Sequence, residues 1–507
     1  MLSLRTLAPL APLAPLATLA AAAAAAACAD PAPPPPEAEG NLPIEPRFRP
    51  LADQIEAERV QLGVAGVAFL VMERGEITFA HGFGVTHPDT GEPVDAGTLF
   101  RIGSVTKMLT AAALLQLVDT GQVRLDAPIT EYIPQLALDQ PPGGAATIRV
   151  RDTLVQSSGL FDYIEIDSLH DDGDLDAFLT GPFRSRTYLM APAGALWNYS
   201  NPNFYLAGLA LERVGGAPYR EAMHDRLFAP LGMHRTTFLG ADAVDHGNFA
   251  FGVTRRPDGS PLVQAPTVYD NAWARPAGYA FSTVHDLARF VQFLRAGDPA
   301  VLSDDQRLAM QRPQRSTKLR RDHGQYGYGL FVEDGFRLPA GYHAQPLVHH
   351  GGDIPGFAAD VFYLPAADFA VIALANGDGA HFSRSIVHAL EHHAAVGPAG
   401  PVPADLAIDP ATFASLAGNY LDPFNVAGHA DPPPPRPAVA SRLRHRARRP
   451  CLRRAPVTSA APCASASTRA ASSERAEPHR CRHQHRGPAC SAPLRSRGGD
   501  DLRAPRA

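Results

Sequence analysis

A serine and a lysine three positions apart form the stretch of this sequence with the clearest chemical potential. Ser104 and Lys107 directly precede the apolar run 108–118, whose spacing predicts a helix that begins near Gly103. Residues three positions apart share one face of a helix, so we expect the hydroxyl and the ammonium to be neighbours. This arrangement at a helix N-terminus suits an activated serine nucleophile. The alternative is a helix-capping serine beside a solvated lysine.

Lysine is rare in this chain, which makes Lys107 stand out. The 46 basic residues include two lysines, Lys107 and Lys318, and all the others are arginines. Arginine stays protonated in proteins, whereas burial can lower the pKa of a lysine until it acts as a base. The composition therefore favours the chemical interpretation of the pair.

Two later segments carry side chains that would complete a serine-based site. The first is the loop 192–204, in which Tyr199 and Asn201 lie two positions apart on one side of an extended segment. Taken alone, a tyrosine and an asparagine in a loop are more often structural. The second segment contains His350 and Gly352 just before a predicted strand pair, where glycines let a strand edge approach a ligand.

The sequence predicts neither a metal site nor a cofactor. His349 and His350 are adjacent on a predicted strand, so their side chains should point to opposite faces. No Gly-x-Ser-x-Gly elbow, no phosphate-binding glycine loop with lysine and no His-Glu-x-x-His motif occurs. Residues 45–395 contain no cysteine, which excludes disulfides and thiol catalysis from this region.

Strand patterns lie at both ends of residues 45–395, and helical patterns lie between them. After a helix at 47–63, the predicted strands are 64–72, 76–82, 326–332, 356–363 and 369–375, followed by a closing helix at 383–395. This order implies an α/β domain with an all-α lobe inserted between its strands. We expect the active site in the cleft between the two lobes.

The N-terminal region has the composition of an export signal. Residues 1–28 carry one arginine and a Leu/Ala/Pro stretch, which predicts a signal peptide and a periplasmic or extracellular protein. The small residues before Cys28 also resemble a bacterial lipoprotein site, an alternative in which lipidated Cys28 attaches the protein to a membrane. A retained transmembrane anchor is disfavoured because prolines interrupt the stretch. Residues 29–44 are interpreted as a proline-rich tether.

The C-terminal region changes composition abruptly after Phe424. Residues 425–507 contain 17 arginines, no lysine, five acidic residues and four of the five cysteines, without apolar periodicity. A basic arm for nucleic acid or membranes is one interpretation. We prefer an out-of-frame translation of a GC-rich gene, which favours these residue types, and expect no nucleic-acid partner. In either case the tail is predicted to be disordered.

Three ordered motifs resemble those of the serine β-lactamase and penicillin-binding-protein superfamily. They are Ser-x-x-Lys at 104–107, Tyr-x-Asn at 199–201 and His-x-Gly at 350–352, and the similarity covers roughly residues 45–395. The second and third motifs resemble the class C-like branch, which includes D,D-carboxypeptidases, D-aminopeptidases and β-lactamase-fold esterases. This resemblance implies a β-lactamase-like antiparallel sheet flanked by helices, with an all-α lobe. It also implies that residues 410–424 begin a truncated accessory domain.

The resemblance also implies roles for individual residues. Ser104 would be the nucleophile, Lys107 and Tyr199 the coupled general base, and Asn201 a ligand for the substrate amide. Lys107 would supply the positive charge that keeps Tyr199 reactive at neutral pH. The remaining residues would line the sheet edge (His350 and Gly352) and form the oxyanion hole (the backbone N–H groups of Ser104 and Asp353).

The implied function is hydrolysis of a small ester, amide or peptide through an acyl-enzyme. A cell-wall D,D-peptidase or D-aminopeptidase and a non-catalytic peptidoglycan-binding relative are the alternatives. His350 stands where class C β-lactamases carry lysine, so we expect weak or no β-lactam hydrolysis. We expect the carboxylate of Asp353 to point away from the oxyanion site, because it would oppose the developing charge. The sequence makes no prediction about oligomeric state.

Overall fold

The computed structural model describes three long stretches of the chain and one short piece of backbone: 39–165, 171–317, 324–401 and 427–428. The predicted signal peptide, residues 1–28, lies outside the described residues, as does most of the tether at 29–44. The predicted accessory segment 410–424 and the predicted tail 425–507 also lie outside them, apart from the two backbone residues named above.

The described residues form twelve α-helices and sixteen β-strands. The helices are α1 Arg49–Leu62, α2 Thr106–Asp119, α3 Val150–Leu154, α4 Asp174–Thr180, α5 Phe183–Arg186, α6 Pro202–Gly215, α7 Tyr219–Met223, α8 Gly240–His246, α9 Arg275–Gly278, α10 Val284–Ala296, α11 Asp304–Met310 and α12 Ser383–His392. The strands are β1 Gly66–Glu73, β2 Glu76–Gly84, β3 Phe100–Arg101, β4 Asp162–Tyr163, β5 Gly252–Arg255, β6 Pro261–Gln264, β7 Phe281–Ser282, β8 Arg315–Ser316, β9 Gly324–Tyr326, β10 Phe331–Glu333, β11 Phe336–Leu338, β12 Gly341–His343, β13 Leu347–Ile354, β14 Phe357–Leu364, β15 Phe369–Ala375 and β16 Ala427–Gly428.

The centre of the fold is an eight-stranded sheet with the order β2-β1-β15-β14-β13-β10-β9-β8. All neighbouring strands in it are antiparallel. The predicted hairpin of β1 and β2 is confirmed, and β1 also pairs with β15 from the far end of the domain. The expected antiparallel sheet built from both ends of the region is therefore confirmed.

The sheet is covered on both faces, and the alternation of side chains along β1 explains how. Ala68, Leu70 and Met72 belong to the core shared with α2 and the helical insertion. Val67, Phe69 and Val71, which alternate with them, belong to a second core shared with α1 and α12. A strand buried on both faces has no polar side, which is why β1 is an almost continuous apolar run.

The chain between β3 and β7 is rich in helices, and most of those that follow α2 in this segment pack on it or on one another. Helices α3, α6 and α9 contact α2 or one another, and they share its apolar core. This agrees with the expected helical lobe beside the sheet. Among the described residues, none of the helices combines the length and apolar character needed to cross a membrane.

One predicted strand is wrong in its extent. Residues 326–332 were expected to form a single strand, but β9 ends at Tyr326 and β10 begins at Phe331. Between them Gly329 has φ +79°, and a Cβ there would lie 2.6 Å from the carbonyl oxygen of Lys107. The tight turn lets the backbone approach α2 closely, which a continuous strand would not allow.

Candidate functional site

Ser104 lies in a 3₁₀ turn, Gly103–Val105, that connects β3 to α2. Gly103 has φ +47°, and a Cβ at this position would lie 2.7 Å from the backbone nitrogen of Asp353. Glycine is therefore required both by the backbone conformation and by the close approach of β13. The turn presents Ser104 at the N-terminal end of α2, as the sequence analysis predicts.

Lys107 is fully buried one turn beyond the serine. Its Nζ lies 2.9 Å from Ser104 Oγ, 2.8 Å from Asn201 Oδ1 and 2.6 Å from the carbonyl oxygen of Ala277. Burial lowers the pKa of Lys107 to about 7, because the charged form loses its hydration, and the charge of Asp162 partly opposes this effect. The interpretation of Lys107 as a solvated surface residue is therefore wrong.

Tyr199 lies directly beside the serine and lysine. Its hydroxyl hydrogen-bonds to the side chain of Ser104, and Lys107 Nζ lies 4.9 Å from the centroid of its ring. Burial raises the pKa of Tyr199 above its usual range, and the carboxylates of Asp162 and Asp353 raise it further. The expectation that the charge of Lys107 lowers this pKa is therefore wrong for the structure as it stands, in which the phenol stays protonated.

Asn201 joins the lysine to a buried carboxylate. Its Oδ1 accepts a hydrogen bond from Lys107, and its backbone N–H donates to Asp162 Oδ1 at 2.8 Å. Its Nδ2 also lies 3.2 and 3.3 Å from the two oxygens of Asp162. Both ends of the amide expected to bind substrate are thus engaged within the protein.

Asp162 is the site residue that the sequence analysis missed. It lies on β4 and is only 6% exposed, and burial raises its pKa to about 6. A signal was available, because this aspartate directly follows the apolar pair Leu160-Phe161. Its contact with Asn201 spans 39 positions, however, and no local pattern reports such a contact.

His350 is buried and held from both ring nitrogens. Its Nδ1 lies 2.6 Å from the carbonyl oxygen of Gly351, and its Nε2 lies 3.2 Å from the hydroxyl of Tyr326. Burial, together with the nearby charge of Lys107, lowers the pKa of His350 to about 3. The imidazole is therefore neutral at physiological pH.

The backbone of Asp353 faces the serine turn. Strands β13 and β14 are joined by the two-residue turn Pro355-Gly356, so Ile354 and Phe357 form the hydrogen-bonded closing pair. Hydrogen-bonded and non-hydrogen-bonded pairs alternate in antiparallel strands, so the N–H of Asp353 points away from β14. Among the described strands, β10 pairs only with the first three residues of β13. This N–H is therefore directed toward Gly103 and Ser104.

The side chain of Asp353 points to the opposite face of the sheet from His350. Three positions separate the two residues on β13, and side chains alternate along a strand. The carboxylate is 63% exposed and lies 3.1 Å from Nε2 of His381. His381 also contacts the buried Asp360, and these two hydrogen bonds raise the pKa of His381 to about 10. The expected outward orientation of this carboxylate agrees with the structure.

These groups line a cavity of about 430 Å³ between the edge of β13 and the helical lobe. Its lining includes all the predicted site residues except Lys107 and Gly352, together with Asp162: Ser104, Asp162, Tyr199, Asn201, His350 and Asp353. Within the described residues, no group of three or more His, Cys, Asp or Glu side chains is arranged to hold a metal ion.

Gly352 is the point at which β13 packs on the serine turn, and its replacement by alanine tests this contact. A Cβ at Gly352 would lie 2.1 Å from the carbonyl oxygen of Ile102 and 3.0 Å from the nitrogen of Ser104. We expect Gly352→Ala to lower the free energy of unfolding by about 1–3 kcal/mol. Loss of one aligned backbone donor should also lower kcat by about a hundredfold or more.

Gly351→Ala is the matched control for this prediction. A Cβ at Gly351 would lie 3.5 Å from Asp360 Oδ1, which is an ordinary contact distance. The thermal unfolding of Gly351→Ala should therefore stay close to that of the unmodified protein. Thermal denaturation and steady-state kinetics measure both effects. Equal behaviour of the two variants would contradict the packing described here.

Comparison with known proteins gives a family match over most of the described residues. The family model described as "Beta-lactamase" matches residues 52–395. Protein flp of Staphylococcus aureus (strain MW2) is 23% identical over 382 residues, which cover 74% of this chain and 70% of that protein. Penicillin-binding protein 4 of Amycolatopsis lactamdurans is 27% identical over 242 residues, which cover 47% of this chain and 62% of that protein.

Solved structures agree with this match. The penicillin-binding protein homologue from Pyrococcus abyssi, described as octameric, superimposes with a TM-score of 0.59 at 23% identity and covers 67% of this chain and 76% of its own. D-amino acid amidase from Ochrobactrum anthropi SV3 superimposes with a TM-score of 0.55 at 26% identity and covers 68% of this chain and 98% of its own. Because the family model spans more than half of the chain, the protein belongs to the beta-lactamase family, a group of serine hydrolases with the β-lactamase and penicillin-binding-protein fold.

Proposed function

We propose that the protein cleaves an ester or amide bond through an acyl-enzyme on Ser104. The observation that carries this proposal is the set of three contacts around Lys107 Nζ. Two of the partners, Asn201 Oδ1 and the carbonyl oxygen of Ala277, can only accept hydrogen bonds. A neutral amine has two N–H groups for these acceptors, and its lone pair is then directed at the hydroxyl of Ser104. This is the geometry of a general base beside its nucleophile.

The proposed reaction follows from this geometry in two halves. The Oγ of Ser104 attacks the substrate carbonyl carbon, and its proton passes to Lys107. The tetrahedral oxyanion is stabilised by the N–H groups of Ser104 and Asp353, and each donor of this kind typically contributes about 2.7–4 kcal/mol. The leaving amine or alcohol accepts the hydroxyl proton of Tyr199, which hydrogen-bonds to Ser104, and Tyr199 regains a proton from the ammonium of Lys107. Water then releases the acyl group by the same steps, with Lys107 again as base.

Tyr199 has a narrower role here than that of a phenolate base. Its raised pKa keeps the hydroxyl protonated at neutral pH, so it donates and relays protons rather than removing them. The general base of the free enzyme is accordingly Lys107. Tyr199 assists it through its hydrogen bond to Ser104.

An amide is the favoured substrate class, and a D-aminopeptidase or D,D-peptidase is the second candidate. The likeness to D-amino acid amidase at 26% identity supports both. The neutral His350 supplies no positive charge for the carboxylate of a β-lactam, so we expect little β-lactamase activity. The intact contacts among Ser104, Lys107 and Tyr199 argue against a binding protein without catalysis.

Covalent labelling combined with a substrate panel tests the proposed function. A fluorophosphonate probe should modify Ser104, and peptide mass spectrometry locates the adduct. The panel compares p-nitrophenyl esters, D- and L-amino acid amides, D-Ala-D-Ala peptides and a chromogenic cephalosporin. Folded protein that neither reacts with the probe nor turns over any of these compounds would exclude the proposal.

The lowered pKa of Lys107 predicts a pH dependence of activity. Only neutral Lys107 can accept the proton of Ser104, and its pKa is about 7. We therefore expect kcat/KM to fall about tenfold per pH unit below pH 7 and to reach a plateau above it. Kinetics between pH 5 and 9 measure this profile, with circular dichroism to verify folding at each pH. An acid limb near pH 10 would point to an unperturbed lysine or to Tyr199 instead.

A further inference from the structure

Asp162 is linked to the proposed nucleophile Ser104 and base Lys107 only indirectly. Among the contacts described above, it touches neither of them. It is buried on β4, and its carboxylate accepts hydrogen bonds from the backbone N–H and from Nδ2 of Asn201. The other end of the same amide accepts from Lys107, which in turn contacts Ser104. The four residues therefore form one continuous chain of contacts from carboxylate to hydroxyl.

The orientation of Asn201 is decided at the Asp162 end of this chain. An amide has one donating and one accepting end, and a carboxylate can only accept. Both oxygens of Asp162 face Nδ2 of Asn201, which turns Oδ1 toward Lys107. In the reverse orientation Nδ2 would face the lysine N–H groups, and Oδ1 would face the carboxylate. Neither of those contacts is a hydrogen bond.

We propose that Asp162 is a positioning residue that acts on Lys107 both through Asn201 and through its own charge. This inference rests on the proposed function only in naming Lys107 as the base. The arrangement parallels nucleophile–base–carboxylate systems, in which the third group orients the base and stabilises its protonated form. Here the side-chain amide of Asn201 connects the carboxylate of Asp162 to the amine of Lys107, so the carboxylate orients the base indirectly.

The charge of Asp162 also acts on Lys107 directly. Burial lowers the pKa of Lys107, and the carboxylate opposes this shift because it stabilises the ammonium form. The titratable groups that interact with Asp162 are Lys107, Tyr199 and Tyr205, and His350 is a further group that interacts with Lys107. The other three groups are neutral and contribute no charge (Tyr199, Tyr205 and His350). The carboxylate of Asp162 is therefore the group that opposes the lowering of the Lys107 pKa by burial.

The scarcity of lysine makes this proposal directly measurable. Full-length protein grown with ¹³Cε-labelled lysine contains two labelled side chains, Lys107 and Lys318, and the variant Lys318→Arg assigns the signals. We expect Lys107 to titrate near pH 7 in the unmodified protein. In Asp162→Asn the midpoint should move down by about one pH unit, because the opposing negative charge is gone. The acid limb of kcat/KM should move in the same direction.

Two further variants keep the test decisive. Asp353→Asn removes the exposed carboxylate that contacts His381 and should leave the Lys107 midpoint within a few tenths of a unit. Asp162→Ser retains a small acceptor for Asn201 and replaces Asp162→Asn if that variant does not fold. An unchanged Lys107 midpoint in a folded Asp162 variant overturns the proposal. Failure of the proposed function is a separate result, because it would be seen as an unlabelled Ser104 and does not involve the titration.

Discussion

Ser104→Ala is expected to lower kcat/KM by at least about a thousandfold, because it removes the only atom proposed to form the acyl-enzyme. Residual catalysis would come from binding and from the backbone donors alone. The side chain fills little of the core, so thermal unfolding should be almost unchanged. Steady-state kinetics on the best substrate of the panel and fluorophosphonate labelling measure the loss.

A second serine provides the matched control. Ser185 is an exposed residue of α5 whose hydroxyl bonds only to the carbonyl oxygen of Pro182 among the described contacts. Ser185→Ala should retain full activity and full labelling. If Ser104→Ala keeps more than about a tenth of the activity, the nucleophile lies elsewhere and the proposed mechanism is wrong.

Lys107→Arg is expected to cause a comparable loss although it conserves the charge. The guanidinium keeps its proton at any pH at which the enzyme is stable, so it cannot accept the proton of Ser104. Its planar group also does not fit the three contacts that Nζ makes with Ser104, Asn201 and Ala277. We expect kcat to fall by at least about a thousandfold, with Lys107→Met giving a similar loss without a buried charge.

Lys318→Arg completes the comparison, because it makes the same change at the other lysine of the chain. Lys318→Arg should have the activity of the unmodified protein. Circular dichroism should give matching spectra for the unmodified protein and for all three lysine variants. Substantial turnover by folded Lys107→Arg would exclude a lysine base and would return that role to Tyr199.

The sequence predicted the sheet and the placement of Ser104, the proposed nucleophile, well because both have local signals. Alternating or continuous apolar runs defined β1, β14 and β15, and the apolar helix α2 placed Ser104 at its start. The extent of β9 and β10 was wrong because the turn at Gly329 is required by an approach to the carbonyl of Lys107, more than 200 positions earlier. A pattern within a short stretch of sequence cannot predict a contact with a residue so far away in the chain.

The site was only partly predictable from the sequence. One reason is again a contact between residues that are far apart in the chain, and the other is the effect of burial on pKa values. The motifs identified Tyr199 and Asn201, but Asn201 is held by hydrogen bonds to Asp162, which lies 39 positions away and belongs to no motif. The expected charge effect of Lys107 on Tyr199 was wrong because reference pKa values hold in water. Burial changes the pKa of both groups in directions that favour their neutral forms, and only the fold determines how deeply each is buried.

The pairing of β1 with β15 has a consequence for synthesis of the chain. Val67 meets its partner Ala375 only after roughly 300 further residues have been made. At about 5–20 residues per second this takes about 15–60 s, during which one edge of the β1–β2 hairpin has no native partner. Apolar strands with an open edge are prone to aggregation, so a newly made chain needs protection over this interval. Once Ala375 has emerged, all eight strands of the central sheet are available and the domain no longer depends on later residues for this pairing.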